Sequence, residues 1–173
     1  GNALYTSVFK EYLYSILSRN TPLEYFIEGG RSRTGRLLPP KTGMLAMTVH
    51  SHLRGRAKPI VFVPTYIGYE RLMEGATYVG EMNGKPKEAE SVFGILQTLR
   101  KIERIFGKVH LNFGEPVFLD DMLKKHGAEN VKIAKNDDPN PQEVSDAVNS
   151  SAHAILENIN RAAVVNPVSL LSL

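Results

Sequence analysis

Cysteine is absent from the 173 residues of this chain. A chain without thiols can form neither a disulfide framework nor a thiolate metal site. No apolar run approaches the roughly 18 consecutive residues that read as a transmembrane helix, so no segment is predicted to cross a membrane. The sequence shows no signal peptide and does not begin with methionine. We therefore expect it to be a piece of a longer protein.

Acidic residues are missing from one long stretch. Residues 31–58 contain seven basic side chains and no Asp or Glu, although the net charge of the chain is only +3. Residues 136–173, in contrast, contain five acids and one arginine. A basic segment of this kind suits an anionic partner such as a phosphate, a nucleic acid or a lipid surface. From charge alone, a solvated basic face is the alternative.

Apolar periodicity alternates between two patterns along the chain. Helices are predicted over residues 3–18, 43–54 and 91–102, and from Pro141 to about Ala163 with Asn140 as N-cap. Strands are predicted over residues 23–27, 60–66 and 108–113. The run "IVFVPTY" at residues 60–66 is apolar on both faces, which is typical of a buried parallel strand. The alternation predicts an α/β fold, with a mostly parallel sheet flanked by helices and a C-terminal helix.

The stretch "FIEGGRSRTGRLLPPKTG", residues 26–43, follows the first predicted strand. Its one carboxylate, Glu28, precedes two glycines that permit a sharp turn and a close approach to a ligand. Ligands of open α/β sheets bind at the carboxyl ends of strands, where this loop begins. Arginine side chains, of which the loop has three, match phosphate oxygens with paired hydrogen bonds. The loop is therefore predicted to bind a phosphate-bearing small molecule, with a surface loop held by structural glycines as the alternative.

Two strings, "FIEGGRSRTGR" and "IVFVPTYIGYE", resemble the bacterial membrane-bound glycerol-3-phosphate acyltransferases. The wider lysophospholipid acyltransferase superfamily carries four sequence blocks. The third, roughly Phe-Pro-Glu-Gly-Thr-Arg-Ser, is similar to residues 26–32, and the fourth, an apolar run ending in proline, is similar to residues 60–64. The string "NFGEP" at residues 112–116 is also similar to the family. The likeness extends from about residue 2 to residue 125.

The resemblance implies an enzyme that transfers a fatty acyl group from an acyl-carrier-protein or acyl-CoA thioester to the 1-hydroxyl of sn-glycerol-3-phosphate, the first step of phospholipid biosynthesis. It implies a catalytic role for Glu28 in organising the loop. The substrate-binding residues that it implies are Gly29, Gly30, Arg31, Ser32, Arg33, Arg36 and Pro64. It implies no metal and no cofactor besides the thioester co-substrate.

The same resemblance gives expectations for domains, partners and location. Residues 1–130 are expected to be the later part of a catalytic domain, and residues 131–173 a linker with a C-terminal helical segment. The expected partners are glycerol-3-phosphate, the acyl donor and a membrane surface. The full-length protein is expected at the cytoplasmic face of the bacterial inner membrane.

The family's first block, His-x4-Asp, has no counterpart in this chain. In the family its histidine takes the proton of the glycerol hydroxyl, and its aspartate orients the imidazole. None of the five histidines is followed by Asp at that spacing. His110 is followed by Glu115, but strand alternation predicts a structural role for His110. We therefore expect the chain to start after this block and to be inactive by itself.

Two other classes of function fit some of these features. A phosphate- or nucleic-acid-binding module without catalytic activity would account for the basic stretch. Against nucleic acid, that stretch contains an apolar predicted helix and lacks the interleaved aromatic residues that stack on bases. A non-catalytic interaction fragment is the third possibility, and no nucleic acid partner is expected.

Overall fold

The computed structural model describes residues 3–30, 36–55, 58–69, 108–134 and 141–165. In this part of the chain the fold is mixed α/β, with helices and two small antiparallel ladders. The helices are α1 (Ala3–Ser18), α2 (Gly43–Gly55), α3 (Leu119–Lys125) and α4 (Gln142–Arg161). The strands are β1 (Val61–Phe62), β2 (Thr65–Tyr69), β3 (Val109–Phe113) and β4 (Val117–Phe118).

Three of the predicted helices are confirmed as α1, α2 and α4. Helix α4 shows why the prediction works, since its buried side chains recur every three or four residues along one stripe. Its start differs in detail, because Pro141 occupies the N-cap position and makes no side-chain capping bond. The predicted cap Asn140 and the predicted helix over residues 91–102 lie outside the described residues.

Helix α3 was missed by the periodicity argument because it has only seven residues. A different signal marks it. Asp120 and Asp121 lie in its first turn, and Lys124 and Lys125 lie in its last turn. Acids near the N-terminus and bases near the C-terminus stabilise a helix through its dipole.

The prediction of one buried parallel strand over residues 60–66 is wrong in its pairing. Residues 61–62 pair antiparallel with residues 117–118, and residues 65–69 pair antiparallel with residues 109–113. Between these ladders, two residues on one side face three on the other, which is the geometry of a β-bulge. Pro64 explains the interruption, since a proline cannot donate a ladder hydrogen bond. Its carbonyl instead accepts a hydrogen bond of 2.7 Å from Gly114 N–H.

The predicted strand over residues 23–27 forms no ladder with any described residue. It runs as an extended connection between α1 and the glycine-rich loop. Residues 23–66 therefore form no β-loop-α-β unit in the described pairing. The strand predicted over residues 108–113 is confirmed as β3.

One core joins elements from both ends of the chain. Leu45, Val49 and Leu53 of α2 are almost completely buried, at 2 % exposure or less. They belong to the same cluster as the apolar stripe of α4, the α3 residues Leu119 and Leu123, and Ile27. Helix α4, in the segment predicted as a linker and C-terminal helix, therefore packs into the same core as α2. The predicted boundary near residue 130 stays a prediction.

Helix α1 lies on the outer side of α2 and buries only Leu13 completely. A salt bridge joins the two helices, with Arg54 Nη1 of α2 lying 2.7 Å from Glu11 Oε1 of α1. The same guanidinium lies 4.0 Å from the centre of the Tyr14 ring, a cation–π contact. None of the described helices is both long enough and apolar enough to cross a membrane.

Candidate functional site

The loop that follows Ile27 is closed at its base by two hydrogen bonds. The Leu38 N–H donates to Glu28 Oε2 at 2.8 Å. The Lys41 N–H donates to the Ile27 carbonyl at 2.7 Å. Helix α2 starts directly after this closure, with the Ala46 N–H bonded to the Thr42 carbonyl at 2.7 Å. Glu28 therefore joins the two ends of the arginine-rich loop through one hydrogen bond, and the catalytic role that the resemblance implies for it stays a prediction.

Gly29 occupies a conformation that glycine adopts more readily than other residues. Its φ angle is +60°, in the left-handed region. A Cβ placed on Gly29 would lie 2.7 Å from Lys41 Cγ and 3.1 Å from Lys41 Cβ. The stem of Lys41 therefore crosses the face of Gly29 where a side chain would be. Both the backbone angle and this contact favour a glycine.

The structure brings together some of the predicted site residues. Glu28 is half-buried, and Gly29 and Gly30 are exposed beside it. Arg36 lies on the surface where the described part of the loop resumes. Arg31, Ser32 and Arg33 lie outside the described residues, so their phosphate-binding role stays a prediction.

Pro64 lies in the interior rather than on a ligand-facing surface. Its side chain is less than 2 % exposed. A Cβ built on Gly114 would lie 3.2 Å from Pro64 Cβ and 2.6 Å from the Asn158 carbonyl oxygen, so the bulge packs tightly against α4. The observed role of Pro64 is to form the bulge, and its predicted substrate contact stays a prediction.

A histidine–aspartate pair is present in space although the His-x4-Asp spacing is absent. His52 Nε2 lies 3.0 Å from Asp120 Oδ1, and the imidazole is 7 % exposed. His52 follows Gly43 by nine residues, so it lies about 14 Å along α2 from the loop at 1.5 Å per residue. The pair links α2 to the first turn of α3.

A cavity of about 330 Å³ lies between α1, α2 and the segments before and after them. Tyr25, Thr48, Ser51 and His52 contribute polar groups to its lining. None of the predicted site residues lines it. The Tyr25 hydroxyl is buried and has no hydrogen-bond partner in the described part of the chain. Burial raises the pKa of Tyr25, an effect that the nearby Thr48 hydroxyl opposes.

His110 has the structural position that strand alternation predicted. It lies in β3 directly opposite Gly68 of β2 and is half-buried. Glu115 lies in the bulge and is exposed, so the two side chains do not form a catalytic pair. Lys41 was not singled out by sequence reasoning. The signal available was its position between Pro40 and Thr42, where the loop must close before α2 begins.

Comparison with known proteins bears on the loop directly. The family described as "Glycerol-3-phosphate acyltransferase C-terminal region" matches residues 78–173. The chain belongs to this family. A second family, described as "Acyltransferase", matches residues 1–68, which contain the loop. The family resemblance proposed from the loop motif is confirmed.

Curated relatives match the chain along its whole length. It is 47 % identical over 173 residues to a glycerol-3-phosphate acyltransferase of Pseudomonas paraeruginosa, covering 100 % of this chain and 21 % of the relative. It is 49 % identical over 174 residues to the enzyme of the same name from Xanthomonas campestris, covering 100 % of this chain and 20 % of the relative. The chain thus spans about a fifth of the length of these relatives.

The two family regions meet inside the sheet. Strand β2 lies at the end of the first region, and its partner β3 lies in the second. The pairs β1–β4 and His52–Asp120 also join the two regions. In this chain the C-terminal family region therefore completes both ladders and the core of the first region.

Proposed function

We propose that the protein containing this chain is a glycerol-3-phosphate 1-O-acyltransferase. It transfers a fatty acyl group from an acyl-CoA or acyl-carrier-protein thioester to sn-glycerol-3-phosphate, as the first step of phospholipid biosynthesis. The observation that carries the proposal is the glycine-arginine loop closed by Glu28, within a chain similar along its whole length to enzymes of that name. The closed loop supports a fixed binding site for a phosphate monoester.

The chemistry divides between this chain and the rest of the protein. The 1-hydroxyl oxygen attacks the thioester carbonyl, the carbon–sulfur bond breaks, and the thiol leaves with a proton. The base that takes the hydroxyl proton is the His-x4-Asp block that the family resemblance implies, outside these 173 residues. The loop supplies phosphate binding through Arg31, Ser32, Arg33 and Arg36 and the amides of the glycine turn.

The reaction as proposed needs no metal and no redox cofactor, because the thioester is itself the activated acyl donor. We place the full-length protein at the cytoplasmic face of the bacterial inner membrane. The family resemblance supports this location, since the acyl donors are cytoplasmic and the product is a lipid. The finer fold prediction, a mostly parallel sheet, comes from the alternation of strand and helix patterns. The described strand pairs are antiparallel, so it stays a prediction for the full-length domain.

A pair of Glu28 variants tests the role of the loop. Glu28→Gln retains an oxygen that can accept the Leu38 N–H but removes the charge, whereas Glu28→Ala removes both. We expect both variants to lose most of the acyltransferase activity of the full-length enzyme. Only Glu28→Ala should lose stability, by about 1–2 kcal/mol for a buried amide left unpaired. Thermal unfolding and initial rates with varied glycerol-3-phosphate separate the two effects. Full activity in Glu28→Gln would remove the carboxylate charge from the mechanism.

The assignment of the activity itself is tested by acylation. The 173-residue chain, incubated with an acyl-CoA and glycerol-3-phosphate, should form no acylated product because it lacks the base. The full-length protein should form 1-acyl-glycerol-3-phosphate. The proposal fails if the full-length protein forms no such product with either class of thioester.

A further inference from the structure

Lys41 lies at the base of the loop and is held there at two points. Its N–H is bonded to the Ile27 carbonyl, one residue before Glu28. Its stem crosses Gly29, since a Cβ built on that glycine would lie 2.7 Å from Lys41 Cγ and 4.0 Å from Cδ. The ammonium group lies two bonds beyond Cδ. The exposed side chain therefore places it within reach of the Gly29–Gly30 turn.

The charge of Lys41 has no partner in the described parts of the chain. No described carboxylate lies within ion-pair distance of its ammonium group. The acid nearest to it in sequence is Glu28, which accepts the Leu38 N–H. Residues 29–58 contain no other acid. A cation beside a glycine turn, with no counter-charge among the described residues, suits an anionic ligand.

From this geometry we infer that Lys41 binds the phosphate of the substrate, as a further cation of the loop. The inference rests on the proposed function. A lysine ammonium acts as a point charge, whereas an arginine binds two oxygens in a fixed fork. Lys41 therefore contributes attraction to the charge of a phosphate monoester, which is nearly a dianion at neutral pH. Gly29 has a second role here. Because it has no side chain, the stem of Lys41 can run across it.

Three substitutions separate charge from packing. Lys41→Met keeps an unbranched stem over Gly29 and removes the charge, and Lys41→Arg keeps the charge. Lys124→Met removes an equal charge from the exposed end of α3 and serves as the control. Dissociation constants for glycerol-3-phosphate and for glycerol are measured by chemical-shift titration of the 173-residue chain. The dispersion of each spectrum and the melting temperature report folding.

The expected result is a selective loss. Lys41→Met should bind glycerol-3-phosphate about tenfold more weakly than the parent, the loss of one charge-assisted contact. Its melting temperature and its response to glycerol should be unchanged. Lys41→Arg and Lys124→Met should retain the affinity of the parent within about twofold, because the first keeps the charge of residue 41 and the second removes a charge from α3 instead. The tenfold loss expected for Lys41→Met corresponds to about 1.4 kcal/mol.

Three outcomes would overturn the inference in distinguishable ways. If the parent prefers glycerol-3-phosphate to glycerol and Lys41→Met retains that preference, the assignment of Lys41 is wrong and the proposed function stands. If the parent does not distinguish the two ligands, the loop of this chain is not a phosphate site and the inference fails, whereas the proposed function is judged by acylation with the full-length protein. If the melting temperature of Lys41→Met falls enough to account for its loss of affinity, Lys41 stabilises the fold rather than binding phosphate. That outcome also overturns the inference.

Discussion

Backbone geometry restricts which residue type fits at some positions of this chain, and Gly29 is the clearest case. A non-glycine residue at φ +60° costs about 1–2 kcal/mol, and an alanine there would also press on Lys41 Cγ at 2.7 Å. We therefore expect Gly29→Ala to destabilise the chain by about 2 kcal/mol and to displace the base of the loop. Urea unfolding measures the first effect and chemical shifts of the loop measure the second.

Gly43 provides the matched control for that substitution. It begins α2, and a Cβ there would meet nothing within 4 Å. Gly43→Ala should therefore be neutral, or stabilising by about 0.4–1 kcal/mol through the unfolded chain. Equal destabilisation by the two substitutions would show that the conformation of Gly29 is not special.

Tyr25 gives a second prediction at this scale, for alkaline pH. Its pKa is raised in the folded state by burial. A raised folded-state pKa contributes stability that is fully present below the unfolded value of about 10 and is lost as the pH rises through the folded value. Tyr25→Phe should remove this part of the alkaline decline. No described group lies within hydrogen-bond distance of the hydroxyl, although the Thr48 hydroxyl is near enough to lower its pKa. The substitution should therefore change the free energy of unfolding at pH 7 by no more than about 1 kcal/mol.

Free energies of unfolding at about pH 8 and about pH 11 test this expectation, because they bracket the ordinary tyrosine value. Tyr69→Phe, at a side chain that is 56 % exposed, is the control for the loss of one phenol. An alkaline decline in Tyr25→Phe as steep as in the parent would show that Tyr25 does not contribute to it.

At the scale of elements, the sequence predicted helices better than sheet pairing. The apolar stripe of α4 predicts a helix because it repeats every three or four residues, a spacing visible within a short stretch of sequence. The same holds for α1 and α2. Strand pairing depends on distant residues. "IVFVPTY" shows that residues 60–66 are apolar, but not that residues 109–118 run antiparallel beside them. A proline within this run is a sign that the ladder is interrupted there. The part that Gly114 plays in the bulge could be recognised only once the strand pairing was known.

For the candidate site too, the sequence predicted the features that depend on neighbouring residues and missed those that depend on distant ones. Glu28 and Gly29 were identified from a motif whose meaning is local, a turn followed by clustered charge. The hydrogen bond to Leu38 and the position of Lys41 were not, because they depend on how the loop returns to α2. The predicted phosphate contacts of Arg31 and Arg33 stay predictions.

At the scale of the whole molecule, the question is whether the two family regions fold as one unit. Val148 of α4 is 4 % exposed and belongs to the same core cluster as Val49 of α2. A charge at that position would be buried without a partner, so Val148→Asp should cost about 3 kcal/mol or more. Its neighbour Asn149 is exposed, and Asn149→Asp adds the same charge at a cost within about 0.5 kcal/mol.

Amide hydrogen exchange in α2 decides between one cooperative unit and two. If α2 and α4 share a single core, Val148→Asp should lower protection at Val49 and Leu53 as much as it does within α4, because both open in the same event. Asn149→Asp should leave both helices protected. If α4 loses protection in Val148→Asp while α2 retains it, the acyltransferase region is stable without the C-terminal region. The contacts between α2 and α4 would then be a docking of two independent units.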